Sequence, residues 1–148
     1  MNKVATIILL LACVGVGSAS QVDHLDMTIH TIPHREQRYD TVGDYFEQNG
    51  VIHFRISQLP DWRYEFLVAL HEQIEWALCQ QAGITIEQID AFDLTWKPHD
   101  GIEEPGDDPR APYHRQHQIA TKHERQMARQ LGVNWDRYEK ALETLVRR

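Results

Sequence analysis

The sequence predicts an α+β fold, with a small antiparallel sheet of about three strands followed by three helices. In the first third of the chain, apolar and polar residues alternate with a period of two, which is typical of half-buried strands. From residue 61 onward, apolar residues recur with helical spacing in segments bounded by N-cap residues and glycines. Residues 21–148 are enough for one domain with its own core and too few for two.

The strands are predicted from alternation and from turn residues. Met27–Ile32 alternates apolar and polar side chains and ends before a proline. Residues 45–47 and 51–56 flank an Asn49-Gly50 pair, which is a strong short-range signal for a hairpin. We therefore expect about three strands in one sheet.

The first long helix is predicted over residues 62–81, because Asp61 is a suitable N-cap and Gly83 a suitable stop. Residues 84–90 have the composition of a short helix or turn. Residues 91–96 are predicted to form another strand.

The rest of the chain is predicted to be a long loop followed by two helices. Residues 97–112 are rich in proline, glycine and acidic residues, which is typical of a loop. Pro112 suits the first turn of a helix that ends at Gly132. Asn134 then caps a last helix that reaches about residue 146.

The composition is acidic and rich in histidine. Asp and Glu outnumber Lys and Arg by 22 to 15, and the chain has nine histidines. We expect no nucleic-acid partner, because phosphate binding requires clustered Lys and Arg. An acidic balance instead suits a cationic ligand, including a metal ion.

The first 20 residues resemble a targeting segment. A short basic start precedes an apolar run over residues 4–16, and small residues follow at 17–20. This pattern predicts export through a signal peptide, with no stable membrane span after processing, because the run is short for a bilayer. A lipobox ending at Cys13, which would anchor the chain, is a second interpretation. The alternative is a cytoplasmic protein whose translation starts at Met27.

Both long helices place a histidine and a glutamate at the centre of their apolar stripe. Successive helical residues are offset by about 100°, which puts His71 and Glu75 in mid-stripe on the first helix. The same construction puts His117 and Glu124 in mid-stripe on the second. A buried carboxylate is costly unless it is paired, protonated or bound to a metal. The two pairs therefore predict either a structural hydrogen-bond network or a metal site.

The spacing favours a metal site. His71 and Glu75 lie one helical turn apart, so that both can reach one ion. His117 is the best third ligand, and water would fill the fourth position with its pKa lowered by the ion. Glu72, between the first two ligands, is the candidate catalytic base. It remains an ordinary solvated glutamate if no metal binds.

Supporting roles are assigned to residues near these ligands. Glu124 is expected to orient a ligand histidine through a hydrogen bond, although it could instead pair with Arg115. His114, at the edge of the stripe, is a second supporting candidate and competes with His117 as a ligand. Asp107 and Asp108 could border the site, but we interpret them as solvated loop charges.

A set of short motifs runs from about residue 29 to residue 138. They are Ile29-His30-Thr31-Ile32-Pro33-His34, Gln37-Arg38-Tyr39, Asp61-Trp62-Arg63-Tyr64-Glu65, His71-Glu72 with Glu75, Asp90-Ala91-Phe92-Asp93, Glu104-Pro105-Gly106-Asp107 with Ala111-Pro112-Tyr113, and Gly132-Val133-Asn134-Trp135. In these motifs the chain resembles a family of small, largely uncharacterised phage and prophage proteins. That resemblance implies no established activity.

The order of sheet, His-Glu helix and second ligand helix is similar to that of minimal zinc metallopeptidases of the zincin type. Those enzymes have a histidine at the position of Glu75 and commonly a glutamate where His117 is proposed. Both ligand sets thus consist of two histidines and one glutamate, but the second histidine and the glutamate occur in the opposite order along the chain.

Two functions are therefore expected from the sequence. The zincin-type resemblance implies a metal-dependent hydrolase that acts on a peptide or small substrate of unknown identity. Its cofactor would be zinc, with another divalent metal as the alternative. The other function is a non-catalytic phage or prophage accessory or binding protein, in which the buried His/Glu cluster is structural.

Overall fold

A computed structural model describes residues 24–146 of the chain. The predicted signal-peptide segment, with its lipobox cysteine, lies outside the described residues. The elements are three strands and four helices, namely β1 (Met27–Ile32), β2 (Gly43–Gln48), β3 (Val51–Ser57), α1 (Trp62–Ala82), α2 (Ile86–Asp93), α3 (His114–Gln130) and α4 (Trp135–Val146). The α+β class, with a three-stranded sheet before the helices, is confirmed.

The sheet is mixed, with strand order β1-β3-β2. The predicted hairpin is present between β2 and β3, and Asn49 and Gly50 adopt φ angles of 55° and 78° in its turn. However, β1 pairs with β3 in parallel, so the prediction of an antiparallel sheet is wrong for this strand. Alternation determines which face of a strand is buried, but not which neighbour the strand takes or in which direction.

The first and last helices begin at the predicted caps, whereas α3 begins at His114, so Pro112 precedes the helix instead of lying in its first turn. Asp61 accepts a hydrogen bond from the Arg63 backbone N–H at 3.0 Å, and Gly83 ends α1 with a φ of 71°. Asn134 Oδ1 accepts from the Arg137 N–H at 3.0 Å at the start of α4. These caps satisfy backbone groups that a helix end leaves without partners.

The segment after α1 differs from its prediction. Residues 91–96 were expected to form a strand, but residues 91–93 belong to α2, so four helices follow the sheet rather than three. Thr85 and Gln88 form a reciprocal capping box, each side chain bonded to the other's backbone N–H. This cap stabilises a helix in a stretch whose short apolar run does not distinguish helix from strand.

The core consists of two apolar clusters, which lie on either side of the buried histidines. One cluster joins the sheet to the C-terminal half of α1 and contains Tyr45, Ile52, Phe54, Trp76, Cys79, Ile89, Ala111 and Tyr113. The other joins the N-terminal half of α1 to α3 and α4 and contains Ile56, Leu67, Val68, Ala69, Ala128 and Tyr138. Across residues 24–146, no helix has the length and apolar character needed to cross a membrane.

Candidate metal centre

The polar groups predicted at the centre of the two apolar stripes meet between α1 and α3. His71, Glu75, His117 and Glu124 are each at least nine-tenths buried, with exposed fractions of 5–8%. The packing of α1 on α3 brings the two pairs together, as the sequence predicted. They form a polar layer between the two apolar clusters.

Three ligand-type atoms converge at one point of this layer. His117 Nδ1 lies 3.1 Å from His71 Nε2 and 3.0 Å from Glu75 Oε2, and the last two atoms are 3.4 Å apart. We call these three atoms the inner triad. They are placed to hold a metal ion.

The spacing of the inner triad is close to, and for two of its three pairs slightly shorter than, the ligand spacing around a small four-coordinate metal ion. Zinc binds nitrogen and oxygen at about 2.0–2.2 Å, so its tetrahedral ligands are separated by about 3.3–3.5 Å. The separations of 3.0–3.4 Å observed here approach these values. Three protein ligands would leave the fourth position of a four-coordinate ion open to water or to another ligand.

Both carboxylates of the layer are held by tyrosines. Tyr45 on β2 donates its hydroxyl to Glu75 Oε1 at 3.2 Å, which leaves Glu75 Oε2 for the inner triad. Tyr138 on α4 donates to Glu124 Oε1. Glu124 Oε2 lies 2.9 Å from His71 Nδ1 and, since a carboxylate only accepts, the proton is on that nitrogen. In a neutral ring, His71 Nε2 is then unprotonated and free to bind an ion.

The electrostatics of the layer favour positive charge. Burial lowers the pKa of His71, but hydrogen bonds to Glu124 and Glu75 outweigh it and raise the pKa well above its ordinary value. Burial likewise opposes protonation of His117, whose acidic neighbours Asp107 and Glu75 raise its pKa to about 9. Burial raises the pKa of Glu75, but hydrogen bonds to the two histidines lower it to about 2. The convergent lone pairs thus attract protons, and a metal ion would compete with those protons for the same atoms.

Glu72 is half-buried at the edge of the layer and lines the same cavity as the inner triad. Burial, together with the neighbouring Glu75 carboxylate, raises its pKa to about 8. Gly43, at the start of β2, lies so close to Glu72 that an added Cβ atom would be 2.3 Å from Glu72 Oε1. The sheet therefore approaches this carboxylate through a glycine.

A cavity of about 560 Å³ opens beside these groups. Among residues 24–146, its lining contains neither lysine nor arginine, but it contains twelve acidic residues, namely Asp40, Asp44, Glu72, Glu75, Asp90, Asp93, Glu103, Glu104, Asp107, Glu124, Glu139 and Glu143. The nearby Arg38 neutralises part of this charge, because it pairs with Asp44 at 2.7 Å and with Asp90 at 2.9 Å. The remaining acidic surface disfavours anionic ligands and favours cationic ones.

The long loop also contacts the site. Its 3-10 turn, Pro105–Asp107, packs on α3, and Asp107 Oδ1 lies 3.6 Å from His117 Nε2. Asp108 does not contact the His117 ring. It is only 1% exposed, and it binds Arg110 at 2.6 Å and the Trp96 indole at 3.0 Å. The interpretation of Asp107 and Asp108 as solvated charges is therefore wrong for Asp108.

Of the two residues predicted to support the ligands, Glu124 contacts a ligand histidine and His114 does not. Glu124 contacts His71, and none of its described contacts is to Arg115. His114 points instead to the loop, where its Nδ1 lies 2.9 Å from the Gly106 carbonyl oxygen. It belongs to neither group of ligand-type atoms that the described residues bring together.

Sequence reasoning missed several residues that shape the site, chiefly Tyr45, Gly43, Gly106 and Arg38. A Cβ on Gly106 would lie 2.4 Å from His117 Nδ1, so this glycine permits the loop to pack on the ring. The Glu104-Pro105-Gly106-Asp107 motif was a signal for this contact. The sequence carries no comparable signal that the Tyr45 hydroxyl would reach Glu75.

Comparison of the chain with protein-family models, curated proteins and solved structures found no match.

Proposed function

We propose that the chain is a metal-dependent hydrolase, most simply a zincin-like peptidase, that holds one zinc or similar divalent ion in the inner triad. The observation that carries the proposal is the convergence of two imidazole nitrogens and one carboxylate oxygen, 3.0–3.4 Å apart, beside an open cavity. When bound, the ion would supply a Lewis acid and a water molecule that ionises near neutral pH.

Glu72 is the proposed general base. It follows the ligand His71 directly and lines the cavity. Within the described part of the chain, no hydrogen bond occupies its carboxylate. In the metal-free protein its pKa of about 8 keeps it largely protonated at neutral pH. A divalent ion in the inner triad would lower this pKa, and the ionised carboxylate could then accept a proton from the attacking water and pass it to the leaving group.

The charge of the cavity indicates the kind of substrate. Phosphate esters would be repelled by its acidic lining, whereas a neutral or positively charged peptide would not. Among hydrolases, this favours a peptidase or amidase over a phosphatase.

A second candidate function is a non-catalytic phage or prophage accessory or binding protein. The observation that favours it is the closed hydrogen-bond network of the buried layer, in which His71, Glu75, His117 and Glu124 all have partners without a metal. Such a satisfied network can specify the packing of α1 on α3 by itself. The two proposals differ in whether a metal is required.

Metal analysis of the purified protein separates these functions. We expect one zinc per chain in the wild type and its loss in His71→Ala. We expect Glu72→Gln to retain the metal and to lose cleavage of a fluorogenic peptide library, because the amide cannot accept the proton. Matched controls are His123→Ala, on the exposed surface of α3, and Glu47→Gln, on the exposed end of β2.

Two outcomes would contradict the hydrolase. A wild type without stoichiometric metal, in which His71→Ala reduces only stability, would leave the structural network as the function of the cluster. A metal-bound protein whose activity is the same in wild type and Glu72→Gln would make the metal structural.

A further inference from the structure

A second set of ligand-type atoms lies at the other nitrogen of the His117 ring. His117 Nε2 faces Asp107 Oδ1 at 3.6 Å and Glu104 Oε2 at 3.8 Å. The three ligand atoms all lie within 4.8 Å of one another. We call them the outer triad.

The imidazole at the centre of the outer triad is buried and has no close partner at this nitrogen. The His117 residue is only 7% exposed, yet among residues 24–146 its Nε2 has no hydrogen bond of normal length. The two carboxylates that it faces are about half exposed. Gly106 allows the loop to pack against the ring, since a Cβ atom there would overlap it. This nitrogen of a largely buried ring thus faces an open, acidic pocket.

We propose that the outer triad is a second divalent-cation site, from which the inner triad is loaded. This inference rests on the proposed metal function of the inner triad. Because a neutral imidazole has one lone-pair nitrogen, the ring binds an ion through either Nε2 or Nδ1. The two triads therefore hold an ion in turn rather than together.

The position of the proton on the neutral His117 ring depends on which nitrogen binds the ion, because the other nitrogen must carry the proton. While the ion is in the outer triad, the proton is on Nδ1 and is donated to Glu75 Oε2, 3.0 Å away. For transfer, Nδ1 would lose its proton through Glu75 to solvent, and Nε2 would take up a proton from solvent beside Asp107, so that Nδ1 becomes the nitrogen that holds the ion. The wider spacing of the outer triad suits an ion that keeps part of its water shell, and its mixed oxygen and nitrogen donors suit zinc or manganese.

The loading step is tested with Co²⁺, whose visible absorption reports its coordination. Metal-free wild type and Glu104→Gln/Asp107→Asn are mixed with Co²⁺ in a stopped-flow instrument. We expect one Co²⁺ per chain in both proteins and an uptake about tenfold or more slower in the double variant, because its local negative charge and its first ligands are lost. Asp40→Asn/Glu139→Gln is the matched control, since it removes the charges of an exposed and a partly exposed cavity carboxylate, each paired with another residue. Its uptake should stay within about twofold of wild type, as expected for a general field effect that is screened by salt.

Equal uptake by the outer-triad variant and the control would overturn the loading role. The outer site itself is tested in Glu75→Gln, which weakens the inner triad with a side chain of the same shape. Titration with Mn²⁺, followed by electron paramagnetic resonance, should show one bound ion that Glu104→Gln/Asp107→Asn removes. No bound Mn²⁺ would overturn the outer site. If the wild type binds no ion in the inner triad, the proposed function and the loading role both fail, whereas the Mn²⁺ result still decides whether the outer triad binds a cation.

Discussion

At the scale of single residues, the ligand atoms depend on neighbours that do not belong to the inner triad. Glu124 accepts from His71 Nδ1, so in the neutral form of the ring, which a metal ion would bind, Nε2 is the lone-pair nitrogen. Tyr138 holds Glu124 in turn, and Tyr45 holds the far oxygen of Glu75. In proteins that bind metals, such partners determine the tautomer and orientation of the ligands.

We predict that Glu124→Gln lowers zinc affinity by about 10–100-fold, because the amide accepts more weakly from His71 Nδ1. Competition with a chromophoric chelator measures the change. Tyr138→Phe should act in the same direction but less strongly, since it removes only the support of Glu124. Affinities equal to that of the His123→Ala control would show that Glu124 does not orient the ligand.

The position of the Glu72 carboxylate depends on the absence of a side chain at Gly43. We predict that Gly43→Ala retains the metal but lowers hydrolysis by about 10–100-fold, because the new Cβ would displace the Glu72 carboxylate from its position in the cavity. The end of this side chain is flexible, so the fold should remain stable. Metal content, thermal unfolding and peptide cleavage are measured together. Unchanged cleavage would argue against a role for Glu72 in this position.

At the scale of elements, the site depends on the docking of the Pro105–Asp107 turn on α3. Gly106 is buried where the turn meets the His117 ring. The ring is enclosed by both helices and the turn, so it has little freedom to move away from an added methyl group. Close packing makes such contacts sensitive to even one carbon atom.

We predict that Gly106→Ala destabilises the protein by about 1–3 kcal/mol and weakens metal binding, because its Cβ would overlap the imidazole. Urea unfolding and Co²⁺ titration give the two quantities. If both match the wild type, the turn does not pack on the ring as described.

At the scale of the whole molecule, burial of several ionisable groups couples stability to pH. The folded-state pKa values of His71 and His117 are raised, and that of Glu72 is raised to about 8 from an ordinary 4.5. In each case the folded state binds a proton that the unfolded state has released at intermediate pH, so stability falls as the pH rises. Glu75 acts in the opposite direction at low pH, since its pKa is lowered to about 2 and its stabilisation is lost as the pH falls from 4.5.

We predict that the metal-free protein loses stability between about pH 6.5 and pH 9, the interval between the unfolded histidine pKa and that of His117. Each proton contributes up to about 1.4 kcal/mol per pH unit. Urea unfolding at a series of pH values measures the loss. Zinc should reduce it, because the ion replaces the protons and stabilises the folded state by about 2.7 kcal/mol at a hundredfold excess over its Kd.

A matched pair of variants identifies the groups responsible for this pH dependence. Glu72→Gln should flatten the slope between about pH 4.5 and pH 8, whereas Glu47→Gln should leave it unchanged, because Glu47 is exposed. A midpoint that does not change with pH in the wild type would contradict the prediction.

Much of this protein could be predicted from its sequence, because local chemistry determines it. Asp61 and Gly83 specify the two ends of α1, and Asn49-Gly50 specifies the hairpin. Helical periodicity alone puts His71, Glu75, His117 and Glu124 on buried faces, where a polar group requires a partner. The sequence therefore determined which buried polar side chains needed a partner.

Only the tertiary structure decided how they meet. The parallel pairing of β1 with β3, the choice of Nδ1 on His117 as the inner atom, and the contact of Glu124 with His71 all join residues far apart in the chain. Periodicity describes one element at a time, whereas these contacts depend on the relative position of packed elements. The outer triad has the same origin, since Gly106 allows a loop to bring Glu104 and Asp107 against a ring on α3.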